Sequence, residues 1–117
     1  VWTVVTSANP NLAKARLSAA GIPIPSELVT AWDVENGKPH PEPYLKGAAN
    51  LGFDISDCVV FEDAASGILA GLEAGAGLLV GVTEHAMDTQ ADIVVRSLKG
   101  ITFVDGELVI PDSIRLR

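Results

Sequence analysis

Cysteine is almost missing from this sequence: Cys58 stands alone. No internal disulfide framework can form, and such usage fits a reducing compartment. A cytoplasmic location is therefore expected. Positive charge is also scarce, with eight Lys and Arg against 15 Asp and Glu and a net charge of −7. That balance argues against a nucleic acid or an anionic membrane surface as partner. It does not exclude a small anionic metabolite, because one lysine and a metal ion can reverse the field inside a pocket. No apolar run approaches the roughly 20 residues needed to span a bilayer. No positively charged leader precedes an apolar stretch, so no secretory signal is expected. His85 and Cys58 lack zinc-like spacing, and there is no internal repeat.

What remains is apolar and patterned. Hydrophobic residues make up 48% and charged residues 20% of 117 positions, enough for one modest globular domain. Val1-Trp2-Thr3-Val4-Val5 reads as a strand from the first residue, with no initiator methionine or lead-in. We therefore expect a piece of something longer. The first strand covers residues 1–6 and is apolar almost throughout, as a strand covered on both faces would be. Asn9 then suits an N-cap and Pro10 the first helical position. Ala13, Leu17 and Ala20 mark one face of that helix, and Gly21 stops it. Leu28 to Trp32 reads as a short second strand. Trp2 and Trp32 are expected to pack.

Asp33 to Pro43 is a loop, with Gly37 and prolines at 39, 41 and 43. Each proline drives the preceding residue towards extended geometry, which places Lys38 on stiff backbone. Tyr44, Ala48 and Leu51 mark a helix closed by Gly52. Cys58 to Phe61 is the third strand, with Cys58 as a small buried residue. Ala65, Ile68, Leu69 and Leu72 give the next helix a 3.6-residue period, and Gly75-Ala76-Gly77 ends it. Leu78 to Val82 is the fourth strand, Glu84 to Gln90 a turn or short helix, and Ile93 to Val95 a short fifth strand. Ile101–Val104 and Leu108–Ile110 form a hairpin through Asp105-Gly106. Alternation of strand and helix predicts an α/β fold: a Rossmann-like parallel sheet flanked by helices, with a C-terminal β-hairpin.

Three polar stations fall at strand-to-helix junctions: Ser7-Ala8-Asn9, Lys38, and Glu62-Asp63. In a parallel sheet such junctions share one edge, the edge where open α/β folds bind ligands. A hydroxyl beside backbone N–H groups at a helix start suits a phosphate. A lysine held between Gly37 and Pro39 offers a fixed positive charge. Two adjacent carboxylates suit a hard cation, Mg2+ above all. Together they make most of a phosphoryl-transfer site. Singly, Ser7 reads as a capping residue, Lys38 as a solvated loop lysine, and Glu62 and Asp63 as turn and helix caps.

Three stretches carry a family resemblance: Val4-Val5-Thr6-Ser7-Ala8-Asn9, Gly37-Lys38-Pro39-His40-Pro41-Glu42-Pro43-Tyr44, and Val60-Phe61-Glu62-Asp63-Ala64-Ala65-Ser66-Gly67-Ile68. They resemble the second, third and fourth motifs of the haloacid dehalogenase superfamily, in its β-phosphoglucomutase-like branch. Thr30 through Gly47 is similar to fungal glycerol-3-phosphatases and 2-deoxyglucose-6-phosphatases. The resemblance implies that Ser7 and the Ala8 amide hold the transferring phosphoryl group, with Asn9 near the substrate. It implies that Lys38 neutralises charge and that Asp63, with Glu62, binds Mg2+.

The family's nucleophile is the first aspartate of a DxDGT-type motif, and no DxD occurs here. The cap that follows that motif is absent too. We therefore expect residues 1–117 to form a partial core domain that lacks its first central strand and is inactive alone. Its expected partners are a small phosphorylated metabolite and the missing N-terminal portion. The expected parent is an Mg2+-dependent phosphomonoester hydrolase acting on a small sugar or polyol phosphate. The alternatives are a sugar-phosphate mutase and a non-catalytic truncated pairing module.

Overall fold

The computed structural model describes residues 1–117. Its centre is a parallel sheet of three strands, β1 (Val59–Glu62), β2 (Leu78–Val82) and β3 (Ile93–Val95), in the order β1-β2-β3. Register pairs Glu62 with Gly81 and Val82 with Val95, so all three strands end at one edge. The helices are α1 (Pro10–Ala19), α2 (Glu42–Leu51) and α3 (Ala65–Ala74). Helices α2 and α3 lie against each other, and α3 also packs on β1 and β2. Gly52 and Gly75 end α2 and α3 in the left-handed conformation that glycine tolerates best.

The core joins Tyr44 of α2 and Ile68 of α3 to Val60, Leu79 and Val94 of the sheet. The buried face of α3 differs from the expected one. Gly67, Ile68, Ala70 and Gly71 are buried, whereas Leu69 and Leu72 are 44% and 41% exposed. Small residues let this helix sit close to the sheet. A Cβ on Gly71 would lie 2.8 Å from Leu79 Cδ1, so the larger leucines turn outwards.

The first two expected strands are reduced to one parallel bridge, Val5 to Val29. Val1 is 97% exposed and Trp2 55%, so this segment has none of the two-sided cover that a parallel strand needs. The second segment is cut short by its own capping. The Thr30 side chain and amide engage Asp33, forming a capping box that starts a 3₁₀ turn at Ala31. Trp32 sits in that turn at 76% exposure, so neither tryptophan packs as expected. On α1 only Ala13 is buried. Cys58 lies just before β1 rather than within it and is only half-buried.

The C-terminal hairpin is present as β4 (Thr102–Val104) and β5 (Glu107–Val109), with Asp105 and Gly106 both at positive φ in the turn. The last residues were not foreseen as an element. Leu116 and Arg117 hydrogen-bond Val94, Arg115 bridges Val95, and the tail thereby covers the outer edge of β3. No helix is long and apolar enough to cross a membrane.

Candidate functional site

The carboxyl edge of the sheet gathers the polar stations. Glu62 is the last residue of β1, not the first residue after it. Its side chain turns back into the fold and is 9% exposed. Lys38 Nζ donates to Glu62 Oε2 at 2.9 Å and to the Val5 carbonyl at 3.1 Å. One ammonium thus ties the end of the first segment to the end of β1. Tyr44 donates its hydroxyl to the same Oε2. The other oxygen, Oε1, accepts the backbone N–H groups of Asp63 (3.1 Å) and Ala64 (3.2 Å).

Burial alone would push the Glu62 carboxyl up. Hydrogen bonds from Tyr44 and Lys38, the Lys38 charge and the Ala64 amide outweigh it and hold the group below the usual carboxylate range. Tyr44 moves the opposite way. Burial, then the Glu62 charge and hydrogen bond, then Asp63 all push its phenol far up, so it stays a donor.

Asp63 follows on the exposed side of the turn. No hydrogen bond or ion pair engages its carboxylate. Its neighbour Glu62, by contrast, accepts four donors. Adjacent residues of one charge are therefore split by the alternation of a strand end: one faces in and is fully bonded, the other faces out.

The loop carrying Lys38 is held by a residue that periodicity did not single out. The Glu42 carboxylate accepts the amides of Glu35 (2.8 Å) and Asn36 (3.2 Å) and the Asn36 side chain (3.1 Å). This folds the loop back onto the start of α2. His40 is exposed and accepts the Glu42 amide at Nδ1, in keeping with a place on the surface. The Lys38–Pro39 peptide is cis.

Ser7 is exposed, two residues beyond the Val5 carbonyl that Lys38 reaches. The Ala8 amide is turned inwards to Thr6 Oγ1 at 3.1 Å, and the Ala8 carbonyl accepts from Ala31. Asn9 caps α1 as expected, its Oδ1 accepting the Leu12 amide at 2.9 Å. The structure thus joins Lys38 and Glu62 directly, and seats Asp63 and Ser7 next to the two backbone segments that Lys38 connects. Tyr44, read from the sequence only as a helix-face residue, is part of the cluster. Its position six residues after Lys38, within Gly37-Lys38-Pro39-His40-Pro41-Glu42-Pro43-Tyr44, was the available signal.

A family model described as haloacid dehalogenase-like hydrolase matches residues 1–75, the span that holds all of these groups. The chain belongs to this hydrolase family. Hexitol phosphatase A of Escherichia coli (strain K12) is 40% identical to it over 116 residues, covering 93% of the chain and 53% of the relative. Glycerol-1-phosphate phosphohydrolase 2 of Saccharomyces cerevisiae is 40% identical over 111 residues, covering 86% and 44%. The chain thus spans about half the length of the curated relatives it matches. Among solved structures, a hydrolase from Pseudomonas syringae superposes with a TM-score of 0.73 at 30% identity, covering 82% of this chain and 48% of that one. The haloacid dehalogenase-like parallel sheet flanked by helices is therefore the fold of this chain.

Proposed function

We propose that this chain is the phosphate-handling part of a phosphomonoester hydrolase acting on small sugar or polyol phosphates. One observation carries the reading. Lys38 is held at 2.9 Å from an inward Glu62, while Asp63 stands unbonded beside it at the open edge of the sheet. A fixed cation next to an uncommitted carboxylate is what a metal-assisted phosphoryl site needs. Relatives named as phosphatases of hexitol and glycerol phosphates support the substrate class.

In this reading Lys38 lowers the charge of the incoming phosphoryl group. Its ammonium has three N–H donors, and two are committed to Val5 and Glu62, which leaves one for the substrate. Ser7 presents its hydroxyl from the neighbouring segment. The Ala8 amide would join it by leaving Thr6, and Asn9 would lie near the substrate. Asp63 would hold Mg2+, and Glu62 would reach the ion only by releasing one of its present partners.

Magnesium fits this donor set, since it takes one or two carboxylates and leaves the rest to water and phosphate. No group of three metal-binding side chains gathers in the chain, so further carboxylate would come from outside it. When bound, the ion neutralises phosphoryl oxygens. The nucleophilic aspartate would also come from outside, because no DxD occurs in the 117 residues. Single cysteine usage supports a reducing, cytoplasmic setting.

The test is a phosphate-release assay over hexitol, glycerol and hexose phosphates with the full-length coding sequence. We expect turnover that needs Mg2+ and is lost in Asp63→Asn. Conversion of a hexose 1-phosphate to an isomer without free phosphate would replace the hydrolase reading with a mutase. Full turnover in Asp63→Asn would overturn the assignment of that residue.

A further inference from the structure

We propose that Tyr44 and Gly67 are positioning residues that together lock the Glu62 carboxylate, and through it the ammonium of Lys38 and the turn bearing Asp63. The inference deepens the phosphatase reading and rests on it for its catalytic meaning. Its geometry stands separately.

A carboxylate has room for about four hydrogen bonds. Glu62 receives four, from the Tyr44 hydroxyl, Lys38 Nζ and the amides of Asp63 and Ala64. The four donors come from three places: α2 (Tyr44), the proline loop (Lys38), and the turn after β1 (the Asp63 and Ala64 amides). Tyr44 touches the cluster twice, because its ring also lies under Lys38, with Nζ 4.8 Å from the centroid. Removing the hydroxyl would therefore release the carboxylate from one of its anchors and let it drift from the lysine, while leaving the ring in place.

Gly67 acts from the opposite side. A Cβ there would stand 2.0 Å from Glu62 Cδ and 2.1 Å from Oε2, inside the carboxylate itself. The absence of a side chain is the space that Glu62 occupies. Tyr44 sits on α2 and Gly67 on α3, and the two helices pack together. Their contact thus sets where the carboxylate lies, and hence which way Lys38 points. Packing alone explains the buried tyrosine ring, but not a hydroxyl and a missing methyl group converging on one carboxylate.

The experiment is competitive acylation of the purified protein with trace acetic anhydride, read by mass spectrometry across pH. Lys14, Lys46 and Lys99 are exposed and serve as internal references. Tyr44→Phe keeps the ring and should raise Lys38 labelling, relative to those references, about fivefold, as loss of one hydrogen bond implies. Gly67→Ala should raise it at least as much. In a Glu62→Gln background the Tyr44→Phe effect should fall below about twofold, since the path runs through that carboxylate. An unchanged ratio in Tyr44→Phe, or full additivity with Glu62→Gln, would overturn the proposal. Inorganic phosphate should slow Lys38 labelling in the unsubstituted protein. Absence of that protection, with the variant pattern intact, would sink the phosphatase reading and leave the positioning device standing.

Discussion

The segment before Pro41 and the block from Val59 to Val95 both carry apolar runs, but they differ in order. In the block, β2 is buried through Leu79, Val80 and Gly81, helix α3 lies on it, and strands flank it on both sides. In the leading segment one bridge stands where two strands were expected, and both tryptophans face solvent. A strand is made by its neighbours as much as by its residues. Leu78–Val82 has two paired neighbours, whereas residues 1–6 pair on one side only. The residues proposed for the site straddle this divide: Ser7 belongs to the loose region, Asp63 to the firm one, and Lys38 connects them.

The largest expected effect sharpens that contrast at the site. In the full-length enzyme, Asp63→Asn should lower kcat/KM by on the order of a thousandfold, as expected when a preorganised charge is lost. Ser7→Ala should cost only about tenfold, because an exposed hydroxyl without partners is poorly preorganised. Steady-state kinetics on both variants decides it, and a reversed order would mean that the leading segment is the firmer half of the site.

Stability comes next. Ile68 is 2% exposed at the centre of the block, and Ile68→Ala should cost about 2–5 kcal/mol in urea denaturation. Trp2→Ala should cost less than about 1 kcal/mol despite removing a larger side chain, because Trp2 is 55% exposed. Equal losses would break the comparison.

Hydrogen exchange offers a subtler measure. The amides of Thr6 and Val29 are bonded, to Val29 and Val4 respectively, yet they should exchange at least about tenfold faster than that of Val80, fully buried in the central strand. Matching protection would show that the single bridge is as cooperative as the sheet.

The smallest effect is in acid. The folded Glu62 carboxyl is held below its ordinary value, so its contribution is complete above the unfolded pKa of about 4.3 and fades as pH falls through the folded one. Glu62→Gln should therefore flatten the loss of stability between pH 7 and pH 3. Denaturation midpoints at the two pH values measure it, and an unaltered slope would show that the carboxylate is not differentially stabilised by folding.

Legibility followed locality. Leu78–Val82 and Ile93–Val95 were readable to the residue, because short apolar runs between turn residues leave few alternatives. The Asn9-Pro10 helix start and the Asp105-Gly106 turn were readable for the same reason. The buried face of α3 was not, since periodicity weights leucine above glycine while close approach to the sheet selects glycine. At the site, Lys38, Glu62 and Asp63 stood out as motif residues. The direction of each carboxylate did not, nor did the part played by Tyr44.

The sequence by itself determined the α/β alternation, the helix and turn boundaries set by caps and glycines, and the residue types able to meet a phosphate. Those depend on interactions within a few residues of the chain. Only the tertiary structure decided that Glu62 turns inwards to Lys38 and Tyr44 while Asp63 stays free, and that residues 1–6 form a bridge instead of a strand. The donors to the Glu62 carboxylate come from as far as 24 residues away in the chain, and no local pattern encodes which of them will meet.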